Sequence, residues 1–275
     1  MTMMDLDAEN KREFKKHGYL TIKGAVDDEI VRRAREEVRR RIKRTNQDDY
    51  ESISDIDNTE PFRLIRNTLR EYAACLVGEG KLQSSSGSIE IPDDIEIKVN
   101  YPSNTRYGSR VQYRTPGGHE DGYVGISDGR NNEGAGSYDY HTVGATVYLS
   151  DVAKGGGGFT VFPGSHWVVA DYFSDHALNS LGWQACPPAI APNGWDYDQR
   201  LDQQLKAEEI TGPSGTIILW HMRLLHGANV NQNSTPRLAV ITRFTHKKGE
   251  EIKQDAVPNL WKYWDGIPQE GLDDL

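Results

Sequence analysis

At 275 residues, with a net charge of −9, 36% hydrophobic residues and two cysteines, the chain can bury a sizeable core in one large domain, although its length alone also permits two. The acidity argues against nucleic acid or an anionic membrane as main partner, and no apolar run reaches the roughly eighteen residues of a membrane helix. Cys75 and Cys186, far apart and without metal-type neighbours, read as free thiols of a reducing compartment. The opening Met1 to Asp7 lacks the basic and apolar regions of a signal peptide, so the expectation is a cytoplasmic monomer or homodimer.

In chain order, Asp27 to Arg44 comes first, with Ile30, Ala34, Val38 and Ile42 at every fourth position of an amphipathic helix. Asp27, Asp28 and Glu29 suit its N-terminus, and Arg39 to Arg41, Lys43 and Arg44 its C-terminus, by the helix dipole. The basic face reads as solvated surface, with an acidic partner as the alternative. Pro61 to Leu76 reads as a second helix, with Phe62, Ile65, Leu69 and Tyr72 or Ala73 on one side. Farther along, His119 and Asp121 stand two apart, so on an extended segment both point to the same side. Gly117, Gly118 and Gly122 flank them and let the backbone bend around a metal, while a surface turn is the competing reading of the same residues.

Val143 to Leu149 has the pattern of a strand. The glycine run Gly155 to Gly158 lacks the Lys-Ser/Thr and following helix of a phosphate-binding loop and reads as a tight hairpin turn. Phe159 to Phe162 is a short strand that ends in Pro163-Gly164-Ser165-His166. Gly215 to Trp220 reads as a buried strand entered from a Pro-Ser-Gly turn, and Arg237 to Phe244 as a second strand. Two neighbouring strands of this kind bring His226 and Arg237 into one pocket. His221 competes with His226 as a ligand; His226 is preferred because it ends an apolar run opposite the strand that carries Arg237.

Two imidazoles and one carboxylate, His119, Asp121 and His226, can occupy one face of Fe(II) and leave the other open for a chelating cosubstrate and O2. A guanidinium fork at Arg237 matches the distal carboxylate of 2-oxoglutarate. The same ligands also suit a zinc hydrolase, and a non-catalytic cupin-like binding module is the reading from outside catalysis. An intact open-faced triad together with Arg237 argues against both.

The order of these parts resembles the phytanoyl-CoA dioxygenase-like branch of the Fe(II)/2-oxoglutarate-dependent oxygenases. The resemblance rests on His119-Glu120-Asp121, Gly157 to His166, Gly215 to Trp220, His226 and Arg237, with the opening segment Phe14 to Ile22, and spans roughly residues 10 to 250. It implies a mainly β fold with flanking helices, a double-stranded β-helix of the jelly-roll or cupin-like kind. Helical support falls in residues 1–85, the β-helix core in about 90–250 and a substrate-shaping insertion in about 171–207. It further implies Fe(II) on His119, Asp121 and His226, 2-oxoglutarate on Arg237 and near Thr146, and O2 as oxidant, with succinate and CO2 released. His166 is a turn residue in that family. Halogenases of the group replace the carboxylate, so Asp121 favours hydroxylation. The loops before and after the first ligands are rich in polar residues, among them Gln112, Arg114 and Tyr140. If these point inward, the substrate is a polar or anionic small metabolite; otherwise they are loop surface.

Overall fold

The computed structural model describes residues 5–42, 50–53, 59–83, 96–102, 142–168, 170, 206–249, 251–252 and 260–269. Helix α1, Ala8–His17, starts on Asp7, whose carboxylate accepts the Asn10 N–H at 2.8 Å. Helix α2, Asp28–Arg41, starts on Asp27, which accepts from Glu29 N at 2.9 Å and Ile30 N at 3.3 Å. Each cap satisfies helix-end donors and contributes about 1 kcal/mol. Strand β1, Tyr19–Ile22, lies between these helices, and β2, Tyr50–Ile53, precedes α3, Glu60–Val77, which opens with Pro61 in its first turn. The basic residues of α2 are largely engaged within the protein. Arg32 pairs with Glu29 and Glu36, Arg33 with Glu60, and Arg40 and Arg41 with Glu37, while Arg35 Nε donates to the Leu149 carbonyl at 2.5 Å. No helix among the described residues is long and apolar enough to cross a membrane.

The remaining strands are β3 Glu96–Asn100, β4 Val143–Tyr148, β5 Phe159–Val161, β6 Glu208–Glu209, β7 Ile217–His221, β8 His226–Ala228 and β9 Arg237–Phe244. They form two antiparallel sheets, a major one in the order β1-β7-β4-β9-β3-β2 and a minor one in the order β6-β5-β8. Alternation along the pleat divides the major sheet into two faces. Val143, Ala145, Val147, Ile217, Leu219, Leu238 and Val240 pack in one apolar cluster with Phe14, Val31, Ala34, Phe62, Ile65 and Leu69 of the helices. The intervening residues Tyr148, Ile218, Trp220 and Ala239 pack with Phe159 and Val161 of the minor sheet. A helix layer, a long sheet and a short facing sheet therefore make up the fold, and the space between the sheets is where polar side chains enter.

Two expectations change. The strand from Gly215 to Trp220, β7, and the strand from Arg237, β9, share the major sheet but are not neighbours, because β4 lies between them; His226 itself falls on β8, which pairs with β5 in the minor sheet. His226 thus belongs to the minor sheet and Arg237 to the major one, on either side of the inter-sheet space. The run Gly155 to Gly158 is likewise no hairpin turn, because the strands on either side of it, β4 and β5, belong to different sheets. It carries the chain from one layer to the other, which a hairpin's paired strands would not allow.

The close fit of the inner face gives a test. A Cβ built on Gly144 falls 2.0 Å from Trp220 Cε2, and both neighbouring strands fix the backbone there. Gly144→Val should therefore destabilise the protein by about 1–3 kcal/mol, read as a lower urea midpoint; an unchanged midpoint would contradict this packing.

Candidate functional site

His226 begins β8 and is only 3% exposed. Its Nδ1 lies 2.9 Å from the Leu224 carbonyl. A carbonyl only accepts, so Nδ1 carries a proton, and in the neutral ring the lone pair then resides on Nε2, the tautomer a metal requires of that atom. The ring stacks on Phe159 at 5.1 Å between centroids and lies 5.3 Å from Trp220. The approach to His226 is fixed by the Pro163-Gly164-Ser165-His166 turn: Ser165 Oγ accepts the Leu225 N–H at 2.8 Å, and Phe162 N–H donates to the Leu225 carbonyl at 3.0 Å.

Arg237 begins β9 and is 3% exposed. It shares the pleat's inner face with Ala239 and stands opposite Asn100 of β3. Its Nε donates to the Gly157 carbonyl at 2.8 Å, which fixes the plane of the guanidinium. The Tyr148 phenol is close by. Burial pushes its pKa well up, the Arg237 charge pulls it down, and the net result is a neutral hydroxyl. That hydroxyl donates to the Ile210 carbonyl at 2.7 Å and accepts the Phe159 N–H at 2.8 Å, tying the two sheets together. Thr146 lies on the same inner face of β4 as Tyr148. It is fully buried, and its Oγ1 has no hydrogen-bond partner among the described residues. A buried hydroxyl left unmatched is costly unless something else meets it.

The structure thus brings His226, Arg237 and Thr146 to the lining of one inter-sheet space. His119, Asp121, Gln112, Arg114 and Tyr140 lie outside the described residues. Among the described residues no three His, Cys, Asp or Glu side chains cluster as a metal site. His221 is separated from the site by the pleat. It stacks on Trp264 at 5.0 Å and lies 5.0 Å from Trp261, and its Nδ1 accepts the Arg223 N–H at 3.0 Å. His166 is a fully buried turn residue whose Nε2 donates to the Lys15 carbonyl at 2.9 Å. Tyr148, Trp220, Asn100 and Glu209, which also build the site's walls, were not singled out by sequence reasoning. Period-two alternation marks Tyr148 and Trp220 as facing one way, but no local signal marks Asn100 or Glu209.

Comparison with known proteins fits this arrangement. Residues 117–239 match the family model described as Phytanoyl-CoA dioxygenase (PhyH). Over 99 residues, 36% of this chain and 31% of the relative, the protein is 33% identical to the "Probable alpha-ketoglutarate-dependent hypophosphite dioxygenase" of Stutzerimonas stutzeri. The chain spans less than a third of the length of the curated relatives it matches. Among solved structures, the non-heme alpha ketoglutarate dependent carbocyclase SnoK from nogalamycin biosynthesis aligns with TM-score 0.56 at 19% identity, covering 89% of this chain and 85% of SnoK. HygX from Streptomyces hygroscopicus, solved with nickel and 2-oxoglutarate bound, aligns with TM-score 0.54 at 16% identity, covering 88% of each chain. The protein therefore shares its fold with SnoK and HygX. The PhyH resemblance is borne out over the stretch that runs from just before His119 to just past Arg237.

The buried His166 carries a pH dependence. Burial, helped by the charge of His17 and opposed by the bond to the Lys15 carbonyl, pushes its pKa down from 6.5 to about 3. Below the unfolded value the unfolded chain takes up a proton that the native protein refuses. Its contribution is complete above pH 6.5 and declines toward pH 3, by up to about 1.4 kcal/mol per pH unit. The difference in unfolding free energy between wild type and His166→Gln should accordingly narrow as pH falls from 6.5 to 4. A difference that does not vary with pH would reject the assignment.

Proposed function

We propose that the protein is an Fe(II)- and 2-oxoglutarate-dependent dioxygenase that hydroxylates a small soluble metabolite in the cytoplasm. The observation that carries this reading is the convergence of a tautomer-fixed His226 and a buried Arg237 cation on one inter-sheet space, within the segment that matches the PhyH family. In this reading His119, Asp121 and His226 hold the iron, Arg237 the distal carboxylate of 2-oxoglutarate and Thr146 a cosubstrate oxygen. The donor set suits Fe(II), with two imidazoles and one carboxylate leaving an open face. The unmatched Thr146 hydroxyl and the buried guanidinium suit an oxygen-rich anionic ligand.

When bound, Fe(II) with 2-oxoglutarate and O2 supplies the oxidising chemistry, with succinate and CO2 as coproducts. The protein's own residues do the rest. Leu224 holds the His226 proton on Nδ1, so Nε2 would be the atom that holds the metal. Gly157 sets the angle of Arg237. Phe159, Val161, Ile218 and Trp220 line the space with apolar surface and keep water from it. Asp121 in the carboxylate position favours hydroxylation over halogenation. The acidic net charge fits a soluble small-molecule substrate rather than nucleic acid. A zinc hydrolase has no use for a buried guanidinium at this place, which favours the oxygenase.

Anaerobic addition of Fe(II) and 2-oxoglutarate to the apo-protein should produce the weak visible metal-to-ligand charge-transfer band of the chelated cosubstrate. His226→Ala should lose the band, and His119→Ala or Asp121→Ala should abolish 2-oxoglutarate turnover in a folded protein. Arg237→Ala should keep the metal and raise the apparent KM for 2-oxoglutarate by roughly ten-fold or more, as loss of a charge-assisted contact implies. Folded, metal-binding protein without the band would overturn the proposal.

A further inference from the structure

The sequence reads Gly155 to Gly158 as a turn without chemistry, yet almost every polar group of that turn has a designated partner. Glu209, half-buried on the two-residue strand β6, accepts the Gly155 N–H on Oε2 at 2.6 Å and the Gly158 N–H on Oε1 at 2.8 Å. Gly156 N–H donates to the Ala153 carbonyl at 2.8 Å, and the Gly155 carbonyl accepts from Gln232 N at 2.7 Å. The anion-seeking amides of the glycine turn are thus filled by a carboxylate of the protein itself. Between the two clamped residues, the Gly157 carbonyl accepts from Arg237 Nε at 2.8 Å and from Asn100 Nδ2 at 3.3 Å. Asn100 Nδ2 is anchored in turn on the Asn229 carbonyl at 2.9 Å.

A run of glycines has no side chains with which to hold itself, and it loses more conformational freedom on ordering than any other sequence. Its carbonyls point in a defined direction only if something outside the run fixes it. Gly157 sits at φ +74°, and a Cβ there would fall 2.4 Å from Asn100 Nδ2, so the position needs glycine and cannot be stiffened by another residue. We propose that Glu209, aided by Asn100, is a positioning residue for Arg237: its carboxylate clamps both ends of the glycine turn so that the Gly157 carbonyl holds the guanidinium in the orientation that receives the distal carboxylate of 2-oxoglutarate. This inference rests on the cosubstrate reading of the Arg237 pocket. Glu209 touches neither metal nor cosubstrate; it acts through the turn. The opposing pulls of Glu209 and Arg237 on the Tyr148 phenol agree with both charges lying near it.

The test is calorimetric titration of the Mn(II)-loaded full chain, without O2, with 2-oxoglutarate and separately with pyruvate, a 2-oxo acid that lacks the distal carboxylate. Glu209→Ala should weaken 2-oxoglutarate binding roughly ten-fold and leave pyruvate binding unchanged. Glu209→Gln, which keeps one strong acceptor and the side-chain shape, should fall between Glu209→Ala and wild type. Combined with Arg237→Ala, Glu209→Ala should add nothing further, because its effect runs through the missing guanidinium. Wild-type affinity in a folded Glu209→Ala protein would overturn the inference. So would equal weakening of pyruvate and 2-oxoglutarate, the signature of general damage to the fold, or full additivity with Arg237→Ala. Should Glu209→Ala not fold, Glu209→Gln carries the same comparison. Failure of the wild-type protein to bind 2-oxoglutarate, or wild-type affinity in Arg237→Ala, would instead overturn the cosubstrate reading, and the role of Glu209 with it.

Discussion

The pleat of the major sheet, buried on both faces, is the constraint from which the site follows. Every residue of β4 and β7 is buried. One set of alternate side chains meets the helices and the other meets the minor sheet. A register slip of one residue would turn Trp220 toward α1 to α3 and Leu219 toward His226. It would also break the fit between Trp220 and Gly144, where the indole lies against the bare backbone of the next strand. Each aliphatic side chain correctly buried on the helix face contributes about 1.5–3 kcal/mol. The same packing that stabilises the sheet therefore fixes which side chains line the inter-sheet space.

The two histidines near the end of β7 show how this constraint assigns chemistry. His221 continues the alternation of Ile217 and Leu219 and so falls on the helix side, among Trp261 and Trp264. The chain then leaves the major sheet and enters the minor one, and His226 arrives facing the interior. Ser165 and Phe162 hold Leu225, and Leu224 holds the imidazole proton. The Pro-Gly-Ser-His turn thus serves as a fixed support for the segment that presents His226, which gives the motif a physical role beyond reversing the chain.

Much of this was legible in the sequence. Apolar runs bounded by turn residues mark β4, β7 and β9, with β9 at Arg237–Phe244 as expected, and helical spacing of apolar residues marks α2 and α3. His226 stands out as the end of an apolar run, and Arg237 as a guanidinium on the strand opposite it. The partition of strands between two sheets was not legible, because short strands with alternating patterns look alike whichever partner they choose. That is why the sequence reads β7 and β9 as neighbours, with β4 unplaced between them, and the glycine run as a hairpin. Glu209 was invisible for a related reason. It lies more than fifty residues from the turn it clamps, on a strand of only two residues, and nothing in a charged pair such as Glu208-Glu209 distinguishes the inward member from the outward one.

The division of charge around the glycine turn makes physical sense of these parts. A carboxylate placed directly on Arg237 would orient the guanidinium but neutralise it at that contact. The turn meets Nε with a neutral carbonyl instead. The carboxylate, Glu209, is held one layer out, where backbone N–H groups satisfy both of its oxygens. Orientation is thereby passed along a chain of contacts: the acid fixes the turn, and the turn fixes the arginine. In a low-dielectric interior such orientation matters, since charge there interacts more strongly than in water. Glycine is the residue that permits it, because any side chain at Gly157 would collide with Asn100.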